Sequence, residues 1–305
     1  MTSKSSGIPA RRKVNSFENG DAKWGYIFIF MAVVIFLIFT VYPIISAMII
    51  STQKYNPIQS TFVGTDNFTG LLRDKLFFKS IRNTIMYTLG TVPVNLFLAF
   101  VLAILIFPFN RRMQTTFKAI YYLPAVASGV SLSFVWMWIY SAQNTGLLNQ
   151  ISQGLGGITY NWLGSSKTAM FSLILMSWLS SHGANIIIYI AALLGIPKDY
   201  YEAASLDGAN FLQKVRYIVL PAVKPATLFL LVTGVIKSFQ VFMNAYLMTG
   251  GGPDNNTTMV GLLIFNNAFK YSEFGKASAQ ALVLAAVIAI ISLLQFKLMG
   301  DDVEY

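Results

Sequence analysis

Four polar side chains recur at helical spacing inside one apolar stretch that is long enough to cross a bilayer. Thr233, Lys237, Gln240 and Asn244 follow one another at intervals of four, three and four residues, so a helix places them on one face. Their hydroxyl and amide groups can hydrogen-bond the hydroxyls of a solute. A lysine near the middle of a span is costly unless it faces protein or water, which makes Lys237 a functional candidate.

A second polar stripe lies in the preceding apolar stretch, where Trp178, His182, Asn185 and Tyr189 have the same helical spacing. Amides beside aromatic rings suit an uncharged, hydroxyl-rich solute such as a sugar, because amides bind hydroxyls and rings stack on the apolar sugar face. The alternative is that both stripes hold helices together, since polar side chains are common between membrane helices. The sequence leaves both interpretations open.

The residue types that most enzymes and metal sites need are missing from the sequence. It has no cysteine and one histidine, which excludes disulfides, thiolate ligands and a zinc site built by this chain alone. All twelve acidic residues fall in predicted tails or loops, so no carboxylate at membrane depth can carry a proton or act as a general base. No G-x-x-x-x-G-K-[ST] run occurs, which excludes ATP hydrolysis by the P-loop mechanism. We expect no catalytic residue, metal or cofactor on this chain.

Composition indicates a membrane protein. Of 305 residues, 55% are hydrophobic and 11% are charged, and the mean hydropathy is +0.59. A soluble domain has roughly 25% charged residues. The formal charge of +10 would suggest nucleic acid as a partner of a soluble protein, but in a membrane protein it indicates basic cytoplasmic loops. We therefore expect no nucleic-acid partner.

Six apolar segments are long enough to cross about 30 Å of hydrocarbon. They cover approximately residues 25–50, 83–107, 117–140, 169–195, 224–246 and 277–299. The distribution of Lys and Arg favours both termini in the cytoplasm. The sequence thus predicts an all-α membrane protein, with a basic cytoplasmic tail over residues 1–24, one six-helix domain over 25–300 and a cytoplasmic C-terminus over 301–305.

The connection between the fourth and fifth predicted spans, residues 196–223, is unusually long and structured. Residues 200–206 favour a helix, Asp207 and Gly208 interrupt it, and a second short helix can form over 209–219. Two short helices at an angle are therefore predicted here.

Seven residues of this connection have a distinctive spacing: Glu202, Ala203 and Ala204, then Gly208 after three residues, Ile218 after nine more, and Leu220 with Pro221 after one more. In this pattern the connection resembles the EAA loop of binding-protein-dependent importers, the ATP-binding-cassette permeases. The resemblance implies a coupling helix that fits a groove on a separate ATPase subunit, which would bind ATP and Mg. The alanines would permit close approach, the glutamate would pair with a basic group, and the glycine would permit a sharp turn. The residues assigned to this contact are Glu202, Ala203, Ala204, Asp207, Gly208, Ile218, Leu220 and Pro221. The alternative is an amphipathic helix that merely lies on the membrane.

Three further stretches resemble maltose- and glycerol-phosphate-type permeases of the carbohydrate-uptake group: residues 62–68 (FVGTDNF), 80–84 (SIRNT) and 249–253 (TGGGP). The last is typical of the first of two permeases. The resemblance implies a bacterial plasma (inner) membrane protein that works with a second permease, two ATPase subunits and an extracytoplasmic solute-binding protein to import a sugar or oligosaccharide. The candidates for docking the binding protein are Gly250, Gly251, Gly252 and Pro253, which can equally form a simple flexible turn.

Two other functions remain open at this stage. The same architecture can import a non-sugar solute, such as a glycerol-phosphate diester, an amino acid or a polyamine, although Lys237 disfavours polyamines. From a different class, a channel or sensor subunit would use residues 196–223 only to dock a cytoplasmic protein.

Overall fold

The computed structural model describes residues 19–143, 145–180 and 182–299, with side chains from residue 24 onward. Most of the predicted basic tail and the predicted C-terminal segment 301–305 lie outside the described residues. Within them, the chain is mostly helical, as predicted.

The elements follow one another along the chain. Their bounds are α1 (Asn19–Phe36), a π-helical turn (Leu37–Val41), α2 (Tyr42–Ser51), β1 (Gln53–Tyr55), β2 (Ser60–Phe62), α3 (Asp66–Leu71), α4 (Lys75–Ile106), α5 (Arg111–Val126), α6 (Gly129–Ile139), α7 (Leu147–Gly154), α8 (Ala169–Ser180), α9 (Gly183–Leu194), α10 (Lys198–Leu206), α11 (Phe211–Lys214), a second π-helical turn (Val215–Val219), α12 (Leu220–Ala222), α13 (Lys224–Phe239), α14 (Met243–Met248), α15 (Val260–Phe265), a third π-helical turn (Asn266–Lys270) and α16 (Phe274–Met299).

The chain divides into two compact units, residues 1–49 and 50–305. In the first unit, α1 runs through the π-helical turn into the start of α2, and nearly all of its side chains from Trp24 onward are apolar. The second unit contains the other elements, including a short antiparallel hairpin in which Gln53 pairs with Phe62. This hairpin is not among the sequence predictions.

Four helices of the described residues are long and apolar enough to cross a membrane: Trp24–Ser51, Lys75–Ile106, Lys224–Met248 and Phe274–Met299. Two bent pairs, α5 with α6 and α8 with α9, raise the number to six if each pair is one span. The predicted apolar segments thus coincide with these helices, although their ends differ.

The second predicted span begins earlier than expected, at Lys75 rather than near residue 83. The Asp74 carboxylate caps the helix by accepting hydrogen bonds from the N–H groups of Leu76 (2.9 Å) and Phe77 (3.2 Å). The first two turns of α4 contain Lys75 and Lys79, so a search for apolar residues misses them.

The third predicted span is not straight, because α5 and α6 meet at 94°. Ala127 and Ser128 have extended backbone conformations, with ψ of 144° and 133°. The Ser128 hydroxyl then caps α6 by accepting from the Val130 N–H (3.3 Å). Pro124 in the last turn of α5 favours a helix end close by.

Helix α4 is central to the packing of the second unit. Ala99 and Ala103, which are fully buried in the largest core cluster, let neighbouring helices approach closely. Hydroxyl groups connect α4 to α13, since Ser238 donates to Thr88 Oγ1 (2.9 Å) and lies 3.3 Å from Thr91 Oγ1. These contacts fix α13, which carries the first polar stripe, against α4.

Candidate functional site

Residues 196–223 contain two short helices, α10 and α11, joined by a tight turn, as the sequence predicts. The second is shorter than expected, because α11 passes at Val215 into the π-helical turn and then into α12. Gly208 has φ of +76°, in the left-handed region that glycine adopts without strain. Its N–H donates to the Ser205 carbonyl (3.2 Å), and the Ala209 N–H donates to the Ala204 carbonyl (2.8 Å). This pair of bonds is a Schellman arrangement, which ends α10 and turns the chain sharply.

The second short helix begins with a reciprocal cap. The Asn210 side chain accepts from the Gln213 N–H (2.9 Å), and the Gln213 side chain accepts from the Asn210 N–H (2.7 Å), which forms a capping box. Lys214 Nζ also donates to Ser205 Oγ (2.7 Å) and so joins α11 to α10. Local hydrogen bonds therefore define the geometry of the turn.

One side of this element is anchored and the other is exposed. Ile196, Val219 and Val223 are buried in the largest core cluster. Leu206 at the turn is 90% exposed. The sequence-predicted coupling residues are mostly exposed as well: Glu202, Ala203, Asp207, Gly208, Leu220 and Pro221 are exposed, whereas Ala204 and Ile218 are half-buried. The element thus presents a ridge held from behind by core packing.

Apolar cavities lie on both sides of the element. One of about 270 Å³ separates α11 from the end of α4 and is lined by residues that include Phe107, Tyr201 and Phe211. Burial raises the pKa of the Tyr201 phenol. The other, of about 560 Å³, lies beside the end of α9 and includes Tyr217 and Pro221. The ridge is therefore packed on the core through Ile196, Val219 and Val223 and has open space on both sides, beside α11 and beside α9.

The first polar stripe does not lie on one continuous helix, contrary to the prediction. Helix α13 ends at Phe239, and the backbone departs from helical geometry at Gln240 and Phe242 before α14 begins. Asn244 therefore sits on a separate helix. Its Oδ1 accepts a bond of 3.4 Å from Ser133 Oγ, which connects α14 with α6.

The remaining three residues of the stripe lie on α13 and, for Gln240, at its C-cap. Lys237 and Gln240 are exposed, and Thr233 is half-buried. Thr233 Oγ1 donates to the Phe229 carbonyl of its own helix (2.8 Å). Lys237 has no hydrogen-bond or ion-pair partner among the described residues. The structure thus places a free ammonium group on this helix face.

The second polar stripe is also divided, because α8 ends at Ser180 and α9 begins at Gly183. Trp178 Nε1 donates to the Gly90 carbonyl of α4 (2.7 Å), and the His182 ring contacts the Trp178 carbonyl. Tyr189 is 1% exposed and packs edge-on against the Phe100 ring. The Trp178 and Tyr189 contacts join α8 and α9 to α4, the alternative that the sequence leaves open, whereas the His182 contact is local to the end of α8. Asn185 is half-buried on α9.

The first half of α4 holds the loop of residues 249–258, an arrangement that sequence reasoning missed. Asn83 is buried, and its Nδ2 donates to the carbonyls of Asn255 (2.9 Å) and Thr258 (3.0 Å). Thr84 Oγ1 accepts from the first N–H of α15 (3.0 Å). We call Asn83, Thr84 and residues 249–258 the loop clamp. The SIRNT and TGGGP stretches were noted separately in the sequence, and the clamp joins them.

The four predicted docking residues differ in exposure: Gly250 is exposed, Gly251 is buried, and Gly252 and Pro253 are half-buried. A side chain at Gly251 would overlap the Thr258 hydroxyl, so this glycine is needed for packing. The exposed tip of the loop is formed by Asp254 and Asn255. The Asp254 carbonyl accepts a bond from the Lys79 ammonium, which adds a further contact between α4 and the loop.

The hairpin is fixed to the rest of the second unit by Asn67, within the FVGTDNF stretch. Its Nδ2 donates to the carbonyls of Ser51 (2.8 Å) and Gln53 (2.9 Å). Gly275 of α16 lies against the same Gln53 carbonyl, which a side chain there would overlap. Lys276, the next residue, forms an ion pair of 2.9 Å with Asp74. This face is therefore a network of specific contacts between distant segments.

No group of three or more His, Asp or Glu side chains that could hold a metal ion is present in the described part of the chain. The site features available are thus the exposed ridge of residues 196–223, the exposed side of α13, and the loop clamp. None of them provides a nucleophile paired with a base.

Comparison with known proteins places these features in a family. The family described as "Binding-protein-dependent transport system inner membrane component" matches residues 67–298. The Arabinooligosaccharides transport system permease protein AraP of Bacillus subtilis (strain 168) is 34% identical over 278 residues, covering 90% of this chain and 88% of that protein. The Multiple sugar-binding transport system permease protein MsmF of Streptococcus mutans is 30% identical, covering 90% and 94%.

A third relative and a solved structure agree with this assignment. The Lactose transport system permease protein LacF of Rhizobium radiobacter is 29% identical, covering 89% of this chain and 92% of that protein. A chain in the crystal structure of a bacterial alginate ABC transporter, in complex with an alginate pentasaccharide-bound periplasmic protein, matches with a TM-score of 0.81. That match covers 90% of this chain and 93% of that chain at 23% identity, so it supports the fold alone.

Proposed function

Since this chain belongs to the family of binding-protein-dependent transport system inner membrane components, we propose that it is the permease subunit of an ATP-driven importer of a sugar or oligosaccharide. The names of the relatives AraP, LacF and MsmF all refer to sugar uptake. A solute-binding protein outside the membrane would deliver the solute. This chain supplies no ATP-hydrolysing site, so ATP and Mg would bind to two separate ATPase subunits.

The observation that carries this proposal is the exposed ridge of residues 196–223. A connection between membrane helices that merely crosses the surface needs neither a Schellman turn nor a capping box. Here the Schellman turn ends α10, the capping box begins α11, and Glu202 and Ala203 of α10 are exposed. A rigid, exposed ridge anchored to the ends of the membrane helices can transmit a push from a partner to those helices.

In the proposed mechanism, closure of the ATPase subunits moves the ridge, and the membrane helices shift as rigid bodies. The cavities beside α11 and α9 give the ridge room to move relative to α4. Glu202 would pair with a basic group on the ATPase, and the alanines would let the two surfaces approach. The solute site would then open alternately to each side of the membrane.

The proposal includes a specific arrangement in the bacterial plasma membrane. The bent pairs α5–α6 and α8–α9 would each count as one span, which gives six spans with both termini in the cytoplasm. A second, similar permease would complete the pathway. The loop of residues 249–258 would then face outward, and Gly250 with its neighbours would lie where the binding protein docks.

Reconstitution tests this function directly. The chain would be purified with its partner permease, ATPase and binding protein, placed in lipid vesicles with ATP inside, and offered a panel of oligosaccharides. We expect ATP-dependent uptake of one class, lost in Glu202→Arg and unchanged in the control Glu273→Arg, which alters an exposed acid at the start of α16. Uptake that persists without the ATPase would instead support a channel or sensor subunit.

A further inference from the structure

The position of Lys237 in the fifth predicted span bears on the chemical class of the transported sugar. We propose that the transported sugar carries a carboxylate, and that this acid group pairs with the Lys237 ammonium as the solute crosses the membrane. The inference rests on the proposed function, since it concerns the solute of the same importer. It narrows the substrate class from sugars in general to acidic sugars.

The depth of Lys237 makes its charge costly without a partner. It lies near the middle of the apolar stretch Lys224–Met248, in the last turn of α13, and the start of that helix at Lys224 is roughly 20 Å away at 1.5 Å per residue. The stem of a lysine is too short to carry the ammonium back over that distance. An ionised lysine at this depth is retained only where it faces water, protein or an anion.

The chain itself offers no counter-charge at this depth. None of its twelve acidic residues falls within the apolar helices or the bent pairs, and Lys237 is exposed without a partner among the described residues. Glu273, which directly precedes α16, is separated from that helix's interior by its position at the end. Any negative charge that pairs with this ammonium therefore comes from another molecule.

The face of α13 that carries Lys237 is polar and exposed, whereas the buried residues of this helix are apolar or small, among them Leu230, Val235 and Phe239. Where α13 packs on α4, it uses small residues: Gly234 lies against Val92, and Ser238 bonds to Thr88. Close helix packing in membranes depends on such residues. The face with Lys237 carries instead an exposed amide, Gln240, and a large ring, Phe229, that is 55% exposed.

This combination matches the chemistry of an acidic oligosaccharide. The ammonium pairs with the carboxylate, the amide of Gln240 and the hydroxyl of Thr233 bond to sugar hydroxyls, and the exposed ring covers an apolar sugar face. Gln240 is the C-cap residue of α13, directly after the helix end and three residues after Lys237. A neutral sugar would leave the ammonium without its counter-ion.

The test uses the reconstituted importer with a binding protein that accepts both members of a matched pair. Short uronic-acid oligosaccharides and the same oligosaccharides with methyl-esterified carboxylates differ only in charge. We expect the wild type to take up the acidic member at least tenfold faster. Lys237→Gln would abolish that preference, Lys237→Arg would retain it, and the control Lys270→Gln, at an exposed lysine outside the spans, would not change it.

Three results would overturn the inference, and they are distinct. Equal uptake of both oligosaccharides by the wild type would show that the importer does not select its solute by charge. An unchanged preference in Lys237→Gln would show that another residue is responsible for the selection. If Lys237→Gln instead weakened association of the two permeases, with uptake of both members falling equally, the counter-charge would belong to the partner permease. Failure of ATP-dependent uptake for every solute would reject the proposed function itself, and this inference with it.

Discussion

The turn at Gly208 allows a quantitative test of the coupling role. Its φ of +76° costs a residue with a Cβ about 1–2 kcal/mol. A side chain built at this position would meet nothing within 4 Å, so no steric clash adds to the backbone penalty. Asparagine adopts the left-handed region more readily than other residues. Gly208→Asn should therefore cost less than Gly208→Ala, and Gly208→Val should cost most because its side chain is β-branched.

A penalty of 1–2 kcal/mol lowers the population of the native turn relative to alternatives by a factor of about 5–30. We expect ATP hydrolysis stimulated by the loaded binding protein, measured in vesicles, to fall in the order wild type, Asn, Ala, Val. Binding of the ATPase subunits, measured by co-purification, should weaken in the same order. Equal activity of the Asn and Val variants would refute the reasoning, because the turn would then not depend on φ.

Three further predictions concern the face that carries the loop clamp and the hairpin. Asn83→Ala removes the two hydrogen bonds that this buried amide donates to loop carbonyls and should destabilise the protein by about 2–4 kcal/mol. Protease cleavage within residues 249–258 should then be faster, whereas Arg82→Ala, at an exposed neighbour, should leave it unchanged. Gly275→Ala places a Cβ on a backbone carbonyl that has no room to move, so the purified protein should melt at a lower temperature. Partial burial alone would raise the pKa of Asp74, but its bonds to Lys276 and to backbone N–H groups lower this pKa overall. The stability that this pair contributes is therefore present above the ordinary carboxyl pKa of about 3.9 and is lost as the pH falls through the lowered pKa. In Asp74→Asn, the melting temperature should depend less on pH over that acidic range.

The apolar helices could be predicted because their signal is local. Twenty apolar residues in a row exclude most alternatives whatever lies around them. The turn in residues 196–223 was equally readable, because Asp207 and Gly208 stop a helix through their own backbone preferences. The ends of the helices were harder. Asp74 begins α4 through a side-chain cap, which hydropathy does not register.

The bend between α5 and α6 and the two broken stripes depend on information that the spacing of residues does not contain. The extended conformations of Ala127 and Ser128 and the non-helical conformation of Phe242 reflect competition between helix continuation and tertiary contacts. A periodicity argument assumes an unbroken helix and so placed Asn244 with Lys237. The polar residues of α8 and α9 were readable as candidates, but their partners, such as the Gly90 carbonyl, lie far away in the chain.

The motifs around Asn83 and Asn67 could be recognised in the sequence, but the contacts that these residues make could not be predicted from it. An asparagine followed by threonine carries no sign of which distant carbonyl it will bind. The signal that the sequence offers is an asparagine near the start of a long helix, just outside its apolar part. Once buried, such a side chain needs hydrogen-bond partners. It would have indicated that a loop covers this end of α4.

The loop clamp has a consequence for the order in which the protein is made. Asn83 and its acceptors are separated by 172 and 175 residues, so α4 enters the membrane long before residues 249–258 leave the ribosome. Until then the amide of Asn83 has none of its final acceptors, and this end of α4 stays accessible to water or to insertion factors. The loop clamp can thus form only after the later helices are in position. In a truncated chain that ends before residue 249, the Asn83 amide would keep none of its final acceptors.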